Sequence, residues 1–105
     1  MAWFGSVSGS QVDEFAKSLA QQLAHDYPPA LETEGEKTLW EKKLATVLQS
    51  IFGKAREFRE EHKLGLYKKA RLANTFRWEL QEMGYTGKFI EKATEGLVVQ
   101  ISRKK

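Results

Sequence analysis

Every large apolar residue between Trp40 and Phe58 recurs at helical spacing: Trp40, Leu44, Val47, Leu48, Ile51, Phe52 and Phe58, joined by Ala55. At 100° per residue these positions fall within an arc of roughly 140°. The spacing predicts a long amphipathic helix over about 36–63, the strongest signal in the chain and its expected organising element. Gly53 lies off the stripe and costs about 1 kcal/mol relative to alanine, so the helix can bend there. Gly65 is the predicted stop.

Three further helices supply partners for this stripe. The first is predicted over 10–27, with Ser10 as N-cap and with Asp13 and Glu14 in the first turn, where the helix dipole favours acids. Val12, Phe15, Ala16, Leu19, Ala20 and Leu23 form its apolar face. Pro28 and Pro29 end it at Tyr27 and open a linker that extends to Gly35. A third helix, over 66–83, turns Leu72, Ala73, Phe76, Leu80 and Met83 inward, and Gly84 suits the position just past its end. Thr86 can cap a fourth over 87–101, carrying Phe89, Ile90, Ala93, Leu97 and Ile101. The β-branched run at 97–101 would also suit a short strand. No partner strand is visible, so helix is preferred.

The expected fold is therefore all-α, a compact bundle of about four amphipathic helices in a single domain spanning 1–105. Short links make up-down connectivity the default. The order of packing is not readable. Residues 1–9 and 102–105 are expected to be flexible, although Trp3 and Phe4 are large enough to dock on the core or a partner.

Composition narrows the chemistry. With 41% hydrophobic and 11% aromatic residues among 105, a packed interior is within reach. There is no cysteine, which removes disulfides, thiolate nucleophiles and cysteine-ligated zinc. Neither a signal peptide nor an apolar run of the roughly 20 residues that span a bilayer is evident, so no membrane span and a cytoplasmic setting are expected. Residues 1–53 carry four Lys against seven Asp/Glu, whereas 54–105 carry thirteen Lys/Arg against seven Glu. The basic half suits an acidic or nucleic-acid partner, and the asymmetry suits head-to-tail self-association. Helix faces that merely differ in charge would look the same.

Sites for catalysis are mostly absent. His25 and His62 stand beside Asp26 and beside Glu60 and Glu61, but neither shows paired metal-ligand spacing. Gly84-Tyr85-Thr86-Gly87-Lys88 lacks the phosphate-loop pattern and the strand that precedes one. Adjacent acids such as Glu60 and Glu61 point about 100° apart on a helix and do not make a dyad. No cofactor or metal is expected, and the balance leans away from an enzyme.

One row of side chains is left over. Tyr67, Arg71, Asn74 and Trp78 stand at i, i+4, i+7 and i+11 of the third helix, within an arc of roughly 60° almost opposite Leu72, Phe76 and Leu80. Lys68 and Arg77 flank them, and Lys63 enters from the preceding turn. Aromatic rings, an Arg fork and an amide make a good recognition surface. Three readings compete. The row could pack against another element, such as the Trp3-Phe4 segment; it could bind a protein or a second copy; or it could hold nucleic acid, with Tyr67 or Trp78 stacking on a base.

The corner from Leu80 to Thr86, leading to Phe89 and Ile90, resembles the turn of helix-turn-helix units over about twenty residues. The helix that would then read DNA carries Lys88, Glu91, Lys92 and Glu95 and is nearly neutral, which weighs against that use. Met83-Gly84-Tyr85 equally resembles the Met-Gly-aromatic loop of ubiquitin-associated domains, which are three-helix modules, but too little chain follows to supply the rest. The expected function is a small non-enzymatic binding or adaptor protein, able to self-associate. A nucleic-acid-binding protein is the alternative, and a small enzyme or metal-binding protein the third.

Overall fold

The computed structural model describes residues 7–32 and 37–102. Four helices make up the fold: α1 (Gly9–Asp26), α2 (Lys37–His62), α3 (Leu66–Met83) and α4 (Gly87–Ser102), with a 3-10 turn at Pro29–Glu32 between α1 and α2. Trp3, Phe4 and the residue expected to open the second helix, Glu36, lie outside the described residues, as does the side chain of Trp40.

Each helix end has a local cause. Ser8, not Ser10, caps α1: the Gln11 N–H donates to Ser8 Oγ at 3.2 Å while the Ser8 N–H donates to Gln11 Oε1 at 2.9 Å. This reciprocal box satisfies two otherwise orphaned N–H groups, and Ser10 has no such partner three residues on. Of the stretch 1–9 expected to be flexible, the described residues are packed: Val7 is buried and Gly9 is already helical. Gly84 ends α3 with φ +100°, and a pair of reversed bonds follows, from Gly84 N–H to the Gln81 carbonyl and from Tyr85 N–H to the Leu80 carbonyl. That is the Schellman arrangement, and glycine is the residue that enters it without a Cβ penalty. Thr86 caps α4 as expected, its Oγ1 accepting from the Phe89 N–H.

The segment read as a linker does more than connect. Its 3-10 turn brings Glu32 to the start of α4, where the carboxylate accepts from Thr86 N–H at 2.9 Å and from Thr86 Oγ1 at 2.6 Å. Beside it the Tyr85 hydroxyl donates to the Tyr27 carbonyl, the last acceptor before the prolines. Phe89 stacks on both Tyr27 and Tyr85.

Directions follow from pairs across the interfaces. Asp13 meets Arg71 near one end and Tyr27 meets Tyr85 at the other, so α1 and α3 run parallel. Gln22 meets Ser50 and Phe15 stacks on Phe58, so α1 and α2 run antiparallel. Phe52 lies against Gly96 and Arg56 donates to Gln100, so α2 and α4 are parallel. The helices alternate up and down along the chain, but neighbours in space are α1–α3, α3–α4, α4–α2 and α2–α1. Consecutive α2 and α3, joined by Lys63–Gly65, are not among the substantial contacts.

The core lies between these four faces. Val12, Ala16, Leu19, Ala20 and Leu23 of α1 meet Leu72, Phe76 and Leu80 of α3, with Ile90, Ala93, Leu97 and Ile101 of α4 closing it. Among the described side chains of the long stripe on α2, Val47, Ile51 and Ala55 are buried, while Leu44, Leu48, Phe52 and Phe58 are half-covered. Among the described residues the largest interface is that between α1 and α3, so this pair, and not α2, is the centre of the packing. α2 is 26 residues long against 16–18 for the others and outruns its partners. It passes through Gly53 without interruption, and 97–101 is helical.

Candidate functional site

α3 is apolar on two sides. Leu72, Phe76 and Leu80 are fully buried inward, while Leu66, Tyr67 and Trp78 are 85%, 69% and 58% exposed outward. Ala70, Asn74, Arg77 and Gln81 are exposed on the same outer face. The arc counted from the sequence is therefore a real surface, and the packing alternative does not hold for Tyr67 and Trp78 among the described residues. Lys63 is exposed at the corner, with φ 49°, and Lys68 is half-buried.

Arg71 plays another part than a free recognition group. Its Nε–H donates to Asp13 Oδ1 at 2.9 Å and Nη2 to Oδ2 at 2.8 Å, a two-point grip between α3 and α1. Nη1 donates to the Tyr67 hydroxyl at 3.2 Å, and Thr75 Oγ1 donates to Asp13 Oδ1 at 2.9 Å. The guanidinium also lies so close to Gly9 that a Cβ there would stand 2.5 Å from Nη1. Hydrogen bonding from Arg71 holds the Asp13 carboxyl below its ordinary value, and the same pairing pushes the guanidinium up. This brace fixes α3 against α1 and orients the Tyr67 phenol.

Beside the brace lies an open hollow of about 600 Å³, lined by Asp13 and Lys17 of α1 and by Asn74, Thr75, Arg77, Trp78, Glu79 and Gln81 of α3. The structure thus brings Asn74, Arg77 and Trp78 together at the hollow, sets Tyr67 and Arg71 at its amino-terminal side, and places Lys63 at the corner beyond. Sequence reasoning missed Lys17, Glu79 and Gln81. It also read Asp13 as a dipole residue, because nothing in the spacing of α1 reveals a partner 58 residues away.

In chemical terms the surface offers an indole, a phenol, two amides and charges of both signs. Among the described residues no group of three or more His, Cys, Asp or Glu could hold a metal ion. His25 is exposed beside Asp26, and His62 leans on Phe58; they sit at opposite ends of the antiparallel α1–α2 pair. Among the described residues no helix is long and apolar enough to cross a membrane. Compared with protein-family models, curated proteins and solved structures, the chain matches none.

Proposed function

We propose that the chain is a small non-enzymatic binding module of the adaptor kind, whose docking face is the outer side of α3 with the α1–α3 hollow beside it. The observation that carries this reading is the second apolar side of α3. Folding needs only the inner stripe, yet Tyr67 and Trp78 present rigid aromatic area in one row with Asn74. The Arg71–Asp13 brace supports it further, since a face held in place loses less freedom on binding. A protein suits this face better than nucleic acid. Arg71 is already engaged, and Asp13 and Glu79 stand where phosphates would lie.

A photo-crosslinking residue at Asn74, compared with one at exposed Val99 on α4, tests the reading in the native cells. A discrete protein adduct from position 74 and none from 99 is expected, lost in the Trp78→Ala chain while its thermal unfolding stays within about 0.5 kcal/mol of the parent. Equal adducts from both positions, no adduct, or unfolding of Trp78→Ala would defeat it. Retention on mixed oligonucleotides that weakens steeply with salt would put nucleic acid in its place.

A further inference from the structure

The exposed apolar side chains are not spread over the molecule. Leu66 and Tyr67 open α3, and Val98 and Val99 belong to the closing turns of α4; of the exposed large apolar residues among those described, Trp78 alone stands well away. With α1 parallel to α3, α2 antiparallel to α1 and α2 parallel to α4, the start of α3 and the close of α4 lie at the same end of the bundle. Leu66 and Val98 share a seam there. Leu66 stands roughly 140° or more around α3 from Arg71 and Thr75, which meet α1. Val98 stands roughly 160° around α4 from Gly96 and Gln100, which meet α2. Both are thereby turned to the outer side of the α3–α4 contact.

The same end is basic. Because α2 and α3 are diagonal in the ring of neighbours, residues 63–65 cross the end of the bundle, with Leu64 buried and Lys63 exposed. Lys68 and Lys69 share the first turn of α3 with Leu66 and Tyr67, and helical side chains lean toward the amino terminus, here past the end. Among the described residues none of these three lysines makes an ion pair. No acid stands in α3 before Glu79 or in α4 after Glu95. Of the acids that α1 and α2 bring to this end, Arg71 holds Asp13 and Arg59 holds Glu60, which leaves Glu14 and Glu61. After Ser102 the sequence continues as Arg103-Lys104-Lys105.

We propose that this end of the bundle rests on an anionic membrane surface. Leu66 and the two valines enter the headgroup layer, while Lys63, Lys68 and Lys69 meet the lipid phosphates and carboxylates. Burial of an apolar tip and attraction of lysines to anionic lipid add to one another, and long lysine stems keep the ammonium groups at headgroup level. At 85% exposure Leu66 projects from the corner rather than lining a cleft, which suits a deformable layer better than a fitted protein surface.

Co-sedimentation with phosphatidylcholine vesicles, with and without about 30% phosphatidylserine, reads the contact. The parent chain is expected to pellet with the phosphatidylserine vesicles only, and to be released by salt. Lys63→Gln/Lys69→Gln should weaken the partitioning at least about tenfold. Leu66→Asp should do the same and keep its fold, since an acid in the first turn of α3 is favoured by the dipole. Trp78→Ala should pellet as the parent does, which separates this contact from the α3 docking face. The chain has no cysteine, so an environment-sensitive dye can be placed by Leu66→Cys or, toward the other end of α2, by exposed Gln49→Cys. A blue shift on the phosphatidylserine vesicles is expected from position 66 alone. No partitioning at low salt, partitioning of either charge variant equal to the parent's, or equal shifts from 49 and 66 would overturn the proposal. So would retention on mixed oligonucleotides without retention on the vesicles, which would assign the lysines to nucleic acid.

Discussion

At the scale of single residues, Asp13 shows how position in space can change a side chain's role. A Ser10 cap would put it in the first turn as a dipole acid, but with Ser8 as the cap it stands past that turn, and its carboxylate accepts two bonds from Arg71 and one from Thr75. Because the folded state holds its carboxyl below the ordinary 3.8, the unfolded chain takes up the proton first as pH falls. The stability it contributes is therefore present above that value and is lost as pH drops through the lowered one. Asp13→Asn is expected to melt below the parent at pH 7, and the two melting curves should converge in acid. Melting curves from pH 7 to about 2.5 check this; a gap that persists in acid would mean that the carboxylate's charge is not what stabilises. Tyr85 carries a similar lesson. Its hydroxyl reaches the Tyr27 carbonyl, and burial pushes its ionisation up.

At the scale of elements, two glycines within helices make a controlled contrast. Gly53 of α2 has open space around it, the nearest atom to an added Cβ being Arg56 Nη2 at 4.0 Å. Gly53→Ala should therefore stabilise by about 0.5–1 kcal/mol, the ordinary gain in helix propensity. Gly96 of α4 sits under the Phe52 ring, where a Cβ would stand 2.7 Å from Cζ. Gly96→Ala should lower the melting temperature because that ring must leave its place between α2 and α4, and in a Phe52→Ala background the penalty should vanish. Circular dichroism melts of the four variants decide it. The helices themselves were legible because apolar spacing and punctuation by Pro28, Pro29, Gly65 and Gly84 are local signals. The Ser8–Gln11 box is equally local, but Ser10 two positions on is a cap of the same residue type in the same stretch. What spacing could not show was which part of a stripe is covered. Leu48 and Phe52 alternate along α2 with buried Val47, Ile51 and Ala55 but stand toward one edge of the same stripe, and which edge the neighbouring helices leave half-covered is set by packing.

At the scale of the whole molecule, the adjacency of α1 with α3 decides where stability concentrates. Their interface is the largest and carries the Arg71–Asp13 brace together with most of the fully buried side chains. Native-state hydrogen exchange should find the slowest amides in the central turns of α1 and α3 and much faster ones at 41–46 of α2, which outruns its partners. Protection at 41–46 equal to that around Leu19 would contradict the concentration of stability in the α1–α3 pair. This arrangement could not be read from one sequence, because four amphipathic stripes can be paired in several rings and only long-range contacts choose among them. The outer face of α3 was legible in its residues, Tyr67, Asn74 and Trp78. Its other wall, from Lys17 of α1, was not.

The spatial order also has a consequence in time. α1 is finished at Asp26, but the strand of chain that completes its main partner ends at Met83. At roughly 5–20 residues per second of synthesis, α1 waits several seconds with only α2 to cover it. A nascent chain paused before α3 thus exposes Leu19 and Leu23 to whatever is near, and the apolar surplus on α2 can serve as their temporary shelter until the permanent one arrives.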